Sequence, residues 1–358
     1  DVDTKKIKIA FLSFYSGEIY RGGETFVHEL ANRLSFYGYE VTVFQNGPKL
    51  PESKYKTVSM GIPIDWNNKN LSIPFFNYWT FLIRSFTSSV LSKMDKNTDI
   101  VFPTNGQWQS LLVRVWCFRN KKKLVISGQS GIGLDDRFNL WSFPNIFVPI
   151  STKALNWAKS ANPFVKTKYI PNGADLNKFT AHGKKLKTNL KRPIILCVGA
   201  LVSQKQIDLV INAVSKIPKV NLLIAGDGPL KNELVALASK VLKGRFEFIS
   251  IPHNKMPDVY RAADLFTLVP NHSESFGIVY VEAMASGLPV VAIDDEQRRE
   301  IVGQAGLVIG DPSNADEYAL VLKKALLVKW GNKPRKQAEK FSWDDIAKEY
   351  EKLFKSLI

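Results

Sequence analysis

Short apolar runs alternate with longer amphipathic ones along most of this chain. That alternation restricts it to a parallel sheet with helices packed on its faces. Residues 7–14 form a strand-like run that opens the chain. Gly17, Gly22 and Gly23 then make a loop, and residues 24–37 predict a helix with Phe26, Val27, Leu30, Ala31 and Leu34 on one face. Gly38 stops that helix, and residues 40–44 supply the next strand. The apolar runs at 100–102, 124–127 and 146–150 suit further strands of the same parallel sheet.

A polar, basic stretch without a clear period follows, DLNKFTAHGKKLKTNLK, and it reads as an interdomain linker. A second series begins at Pro193. Strands are expected at Ile194–Val198, Asn221–Ala225, Phe246–Ile249, 265–269 and Val290–Ile293, with helices at Ile207–Ser215, 229–242, 256–263 and 276–286. The expected fold class is therefore α/β, two Rossmann-like domains facing across a cleft at the carboxyl ends of their sheets. The domains are 1–175 and 193–341, joined by a linker at 176–192, with a closing helix at 342–358 returning to the first domain. A chain of 358 residues is long enough for two domains of ordinary size.

The charge is uneven. The whole chain carries +16, and residues 51–180 hold 17 Lys and Arg against 7 Asp and Glu. Such an excess favours polyanions: nucleic acid, an anionic membrane face or phosphorylated small molecules. Residues 73–123 add aromatic side chains to the cations: Phe75, Phe76, Tyr78, Trp79, Phe81, Phe86, Trp108 and Trp116 beside Arg84, Arg114, Arg119, Lys121, Lys122 and Lys123. Rings with interleaved cations suit a membrane interface; a core of rings with a solvated lysine turn is the other reading. The only cysteines, Cys117 and Cys197, lie in apolar runs and read as buried thiols, which favours a reducing, cytoplasmic compartment. The opening residues read as a strand rather than as a signal peptide, and the most apolar window, 72–83, is too short to span a bilayer.

The most informative passage is PNHSESFGIVYVEAMASGLPVVA, residues 270–292. A strand leads into two carboxylates eight positions apart, Glu274 and Glu282, with Ser275, Phe276 and Gly277 opening a helix between them. Gly277 lets a ligand approach the backbone, and first-turn N–H groups suit phosphate or sugar oxygens. A carboxylate there can accept hydrogen bonds from two neighbouring sugar hydroxyls. Taken alone, the pair reads first as an ordinary helix-entry acid, Glu274, and a solvated or paired one, Glu282.

The stretch ESFGIVYVE followed by AMASGLPVVA resembles the family 4 retaining glycosyltransferases, which have the GT-B fold. The resemblance runs along almost the whole chain: YRGGETFVHELANRL, GYEVTVF, YIPNGADLNKF, VGALVSQK, AGDGP and FSWDDIAKEYEKLF come in the family's order. It implies transfer of a hexose-type sugar from a nucleotide-diphosphate donor to a glycan or lipid-linked acceptor, in cell-envelope polysaccharide or glycolipid synthesis. It also implies that Glu282 binds the donor ribose and Glu274 the transferred sugar. The backbone of Ser275, Phe276, Gly277 and Ile278 would hold sugar and diphosphate oxygens, with Gly199 at the end of the second domain's first strand. Lys205 would neutralise the leaving diphosphate. Gly22 and Gly23 would face the same phosphates from the first domain.

Two positions depart from the family pattern. Ala200 stands where an arginine is common, and 127–133 (SGQSGIG) has no histidine where the family often has one. Gln129 or Ser130 could hydrogen-bond the donor sugar there, but neither is a base near pH 7. His272 lies two residues before Glu274 and could reach the cleft, a satisfied loop histidine being the other reading; His28, His182 and His253 complete the set. No protein nucleophile is implied, since the leaving phosphate of such enzymes is thought to deprotonate the acceptor. The acid pairs Asp135–Asp136 and Asp294–Asp295 lack the separated aspartates of metal-dependent transferases, so no metal or other cofactor is expected beyond a UDP-, GDP- or ADP-sugar substrate. The expected location is cytoplasmic, peripheral on the inner membrane face.

Rival classes fit less well. A nucleic-acid-binding protein would need a recognised module or a basic reading helix, and neither is evident. An oxidoreductase would carry G-x-G-x-x-G after its first strand, where SGEIYRGGE stands instead. The alternative that remains closest is a sugar-nucleotide epimerase of the same fold.

Overall fold

The computed structural model describes residues 6–68, 73–271 and 274–358. The chain forms two compact units, Asp1–Asn172 with Asp344–Ile358, and Gly173–Trp343. Each is built round a six-stranded parallel sheet.

In the first unit the strands are β1 (Lys8–Ser13), β2 (Glu40–Gln45), β3 (Lys56–Ser59), β4 (Ile100–Pro103), β5 (Lys123–Gly128) and β6 (Ile146–Pro149). Their spatial order is β3-β2-β1-β4-β5-β6, with Ile9 opposite Val41 on one side and Ile100 on the other. Apart from Lys8, which is half-buried, every residue of β1 is buried, as expected of a central strand covered on both faces. The helices are α1 (Gly22–Phe36), α2 (Tyr78–Lys93), α3 (Trp108–Asn120), α4 (Leu134–Trp141) and α5 (Thr152–Ala161). Asn77 and Thr80 form a reciprocal capping box at the start of α2, and Ser151 caps α5 by accepting from the Ala154 N–H.

The final helix, α13 (Trp343–Lys355), supplies the part of the chain that returns to this unit. Tyr350 meets Phe26 with ring centroids 5.8 Å apart, and Phe354 lies 6.4 Å from Phe102. Arg33 on α1 donates to Asp344 at 2.6 Å. The closing helix thus completes the core under β1 and β4, as the sequence predicts.

The second unit repeats the plan. Its strands are β7 (Ile194–Val198), β8 (Asn221–Ala225), β9 (Phe246–Ile249), β10 (Leu265–Leu268), β11 (Val290–Ile293) and β12 (Gly306–Ile309), in the order β12-β11-β10-β7-β8-β9. Its α-helices are α6 (Ile207–Ser215), α7 (Lys231–Leu242), α8 (Met256–Ala262), α9 (Ile278–Ala285), α10 (Glu296–Val302), α11 (Ala315–Leu327) and α12 (Lys333–Glu339).

Some boundaries differ from the expectation for local reasons. Gly22 and Gly23 lie in the first turn of α1, after an extended Arg21, and not in the preceding loop. The helix expected from residue 276 starts at Ile278, because Gly277 takes a left-handed conformation (φ +81°) that ends the loop. The segment 176–192 belongs to the second unit and is no free linker. Arg335 donates to the Phe179 and Leu176 carbonyls, Arg261 to those of Thr180 and Lys184, and the Leu186 N–H donates to Asp258 O. These bonds use main-chain groups, so they leave no periodic pattern in the sequence.

The returning helix gives a direct test of the core. Tyr350→Ala removes a fully buried ring from the first unit, and a loss of about 3–5 kcal/mol is expected. A denaturant titration read in the first unit checks it; an unchanged midpoint would mean that α13 only decorates that unit.

Candidate active site

Each sheet has a point where its strand order reverses, between β1 and β4 and between β7 and β10, and a crevice opens there at the carboxyl ends. In the second unit, Gly199 follows β7 and its N–H donates to Ala225 O at 3.1 Å. A Cβ on Gly226 would fall 1.9 Å from the Gly199 carbonyl oxygen, so the AGDGP turn packs against the β7 loop as only glycine allows. The chain then makes a short turn through Ser203–Lys205. The Asn271 N–H, beyond β10, donates to Gln204 O at 2.9 Å and ties the two loops together.

This juxtaposes Lys205 and Glu274. The lysine ammonium donates to a Glu274 carboxylate oxygen, and the two side chains are only 24% and 15% exposed. Lys205 is therefore no solvated loop lysine. Partial burial strengthens such a pair relative to a surface one.

The loop from Glu274 to Gly277 is fastened from behind by α10. Arg298 donates to Glu274 O at 2.9 Å, and Gln297 donates to Ser275 O. Arg298 is itself held by Asp295 at 3.3 Å, and Asp295 caps α10 through the Arg298 N–H. Phe276 is buried with its ring 5.9 Å from that of Phe341. Gly277 lies over Tyr280, where an added Cβ would come within 2.6 Å of the ring, while the Tyr280 hydroxyl donates to Leu268 O at 2.8 Å. The N-terminus of α9, at Ile278, thus follows directly on the loop that carries Glu274 and its partner Lys205, and a helix N-terminus is a general site for an anion.

Glu282 lies two thirds of the way along α9 and is buried. Tyr260 donates to one carboxylate oxygen at 2.8 Å, and His253 Nε2 is 2.9 Å from the other. Burial raises the Tyr260 hydroxyl well above its ordinary pKa, with the Glu282 charge adding to the effect. Phe179 packs against both the His253 and Tyr260 rings at 5.8 and 5.7 Å. Sequence reasoning missed Arg298, His253 and Tyr260 as supporting groups. His253 lies in the short turn before α8 and Tyr260 on α8 itself, and neither position in sequence specifies the carboxylate it meets. His272 lies outside the described residues.

In the first unit a cavity of about 890 Å³ lies at the carboxyl ends of β1, β4 and β5. Gly23, Tyr15, Trp79, Trp108, Asn105 and Gln129 are among its lining. Nothing within 4 Å would meet a Cβ on Gly23, so the first turn of α1 faces open space. Gln129 reaches this wall, but its amide is occupied: Nε2 donates to Ser127 Oγ at 2.8 Å and to Asn172 at 3.2 Å, and Oε1 accepts from Asn172 at 2.8 Å. These bonds hold the side chain at the strand end. Ser130 likewise accepts from the Asp136 N–H at 3.1 Å.

Asp136 is buried and accepts from the Ser130 and Ile132 N–H groups, both at 3.3 Å. Burial pushes its carboxyl up to about 6 in spite of these bonds. The acids of both pairs have partners in the protein. Asp135 accepts from Gln107 at 2.9 Å, Asp294 pairs with Arg299, and Asp295 with Arg298. Both thiols are buried, and burial raises each to about 12. Among the described residues no helix is long and apolar enough to cross a membrane.

Asp136 predicts a pH dependence of known sign. Its folded value near 6 exceeds the ordinary 3.8, so the native state binds more protons between those values. The first unit should lose stability as pH rises from about 4 to 6, and Asp136→Asn should flatten that slope. Denaturation midpoints of parent and variant across this window check the sign; parallel curves would place the titration elsewhere.

Residues 178–342, nearly all of the second unit, match the family "Glycosyl transferases group 1". An uncharacterised glycosyltransferase of Methanocaldococcus jannaschii is 27% identical over 98% of this chain and 98% of its own length. The D-inositol 3-phosphate glycosyltransferase of Mycolicibacterium smegmatis is 40% identical over 34% of this chain, which spans only 30% of that protein. Among solved structures, sucrose-phosphate synthase of Thermosynechococcus elongatus superposes with a TM-score of 0.79 at 20% identity, covering 98% of this chain and 99% of that one. The Anabaena HepE protein in complex with UDP and glucose gives 0.76 at 19% identity, covering 98% and 100%. The fold is that of the GT-B glycosyltransferases, two Rossmann-like domains, and it is residues 178–342 that match the group 1 glycosyltransferases.

Proposed function

We propose that this chain transfers a hexose-type sugar from a nucleotide-diphosphate donor to a glycan or lipid-linked acceptor, with retention at the anomeric carbon and without a metal ion. The observation that carries the reading is the Lys205–Glu274 pair beside the N-terminus of α9 at the switch point of the second sheet. A cation and a helix N-terminus there suit a diphosphate, and a carboxylate suits the hydroxyls of the sugar it carries. Glu282, already within hydrogen-bonding distance of His253 and bonded to Tyr260, suits the ribose hydroxyls further along the same helix.

In this reading the bond from the anomeric carbon to the phosphate oxygen breaks as Lys205 and the α9 N–H groups take up the negative charge. The acceptor oxygen bonds to the same face of that carbon, and its proton passes to the departing phosphate. Gln129 then has a positioning role, consistent with its occupied amide. The cavity of the first unit, lined by Trp79, Trp108, Asn105 and the Asp136 side, suits a sugar-bearing acceptor. Relatives include a GDP-mannose-dependent mannosyltransferase of Corynebacterium glutamicum, and HepE was crystallised with UDP. UDP and GDP are therefore the first donors to screen, with ADP third. The acceptor in the name of the Corynebacterium glutamicum relative, a monoacylated phosphatidylinositol monomannoside, is a glycolipid, which suits a lipid-linked acceptor here.

A thermal-shift screen with UDP, GDP and ADP tests the donor class. One nucleotide at 100 times its Kd should add about 2.7 kcal/mol. No rise with any of them would sink the reading. With a productive donor and acceptor, Lys205→Ala and Glu274→Gln should each lower kcat by about 100-fold or more, whereas Glu282→Gln should act chiefly on donor KM. Activity abolished by EDTA and restored by manganese would refute metal independence. An inverted product anomer would refute retention, and donor epimerised without acceptor would favour the epimerase instead.

A further inference from the structure

We infer that α2 and α3 of the first unit form a docking face for an anionic lipid surface. The inference deepens the acceptor side of the proposed function, but it stands on the fold of the first unit alone.

Helix α3 leaves an apolar stripe uncovered. Leu111, Val115 and Phe118 follow each other at helical spacing, within about 60° of arc, and all three are exposed. Phe118 is 75% exposed at the end of the helix. Its opposite side, with Val113 and Cys117, is buried in the core, so the stripe is no extension of that core. Phe76 and Phe81 continue the apolar surface at the start of α2, with their rings 6.5 Å apart and Phe76 6.4 Å from Trp108. Phe76 is 63% exposed. Five large apolar side chains thus project from neighbouring elements of one unit.

The charge carried by these two helices has one sign. Arg114 and Arg119 flank the α3 stripe on either side, and Lys121, Lys122 and Lys123 follow directly. Arg84 of α2 lies with its guanidinium 4.8 Å over the Trp108 ring. The sequence has no carboxylate between Asp65 and Asp95, nor between Asp99 and Asp135, so neither helix carries an acid. Projecting rings with cations beside them match the two layers of a bilayer surface, acyl boundary and anionic headgroup.

The same facts weigh against the other occupants. A second copy meeting this face across a two-fold axis would bring like charges together with no acid on either helix to answer them. A nucleic acid would satisfy the cations but leave Leu111, Val115 and Phe118 unused.

Flotation of the full chain with phosphatidylcholine vesicles, with and without phosphatidylglycerol, tests the face at low and high salt. The protein should float with anionic vesicles only, and less as salt rises. The combined Arg114→Gln, Arg119→Gln, Lys121→Gln variant should lose affinity by about 100-fold. The combined Leu111→Ser, Val115→Ser, Phe118→Ser variant should lose about tenfold or more. Both should keep the parent's thermal midpoint and nucleotide response, which separates this inference from the donor reading. Equal flotation with neutral vesicles, or variants that float like the parent, would overturn it. So would self-association of the parent that the serine variant abolishes without lipid, or displacement from vesicles by duplex DNA that the serine variant binds unchanged.

Discussion

Connections between parallel strands cross over a sheet face with one hand, so a sheet that grows in both directions from its first strand must somewhere send neighbouring connections to opposite faces. Both sheets here do so, at β1/β4 and at β7/β10. The loops after those strands diverge, and each pair leaves a crevice at the strand ends. Everything chemical in the second unit follows from that constraint. Lys205 comes from the loop after β7 and Glu274 from the loop after β10, 69 positions apart in sequence, yet they pair. The cavity of the first unit has the same origin, since its walls come from the ends of β1, β4 and β5.

Strands buried on both faces were the most legible part of the sequence, because a run such as IILCV has no polar residue to confuse with a loop. The edge strand β3 was not legible: its four residues are half-buried or exposed, and KTVS reads as loop. The start of α1 was obscured by Gly22 and Gly23, which have low helix propensity but open a helix whose stability comes from Phe26, Leu30 and Leu34 further along. The segment 176–192 hid its attachment for a different reason. Its partners are the guanidinium groups of Arg261 and Arg335, and main-chain carbonyls have no sequence signature.

At the candidate site, legibility divides in the same way. Glu274, Gly277 and Glu282 could be singled out because they lie in one short stretch whose spacing resembles a known family. Tyr260 and His253 could not, because they lie 22 and 29 positions from Glu282 and approach it only once α8 packs on α9. Arg298 was hidden by bonding to a carbonyl. For Gln129 the sequence shows a polar side chain at a strand end but not the bonds to Ser127 and Asn172 that hold it there.

These supporting bonds bear on how such a site can bind at all. An unpaired carboxylate buried as deeply as Glu282 would cost several kcal/mol, so the ligand-free protein must supply partners, and Tyr260 and His253 do so. A ligand hydroxyl that reaches this carboxylate exchanges one hydrogen bond for another. The net gain is then small, on the order of 1 kcal/mol, and discrimination exceeds affinity: a ligand lacking the hydroxyl would break the exchange and leave the acid short. Lys205 and Glu274 obey the same logic with full charges. Their pairing keeps both ionised groups compensated while the crevice is empty, and an arriving dianion can take the lysine only if another group answers the glutamate. A sugar hydroxyl carried by the same ligand can do that, which couples recognition of the two halves of one molecule.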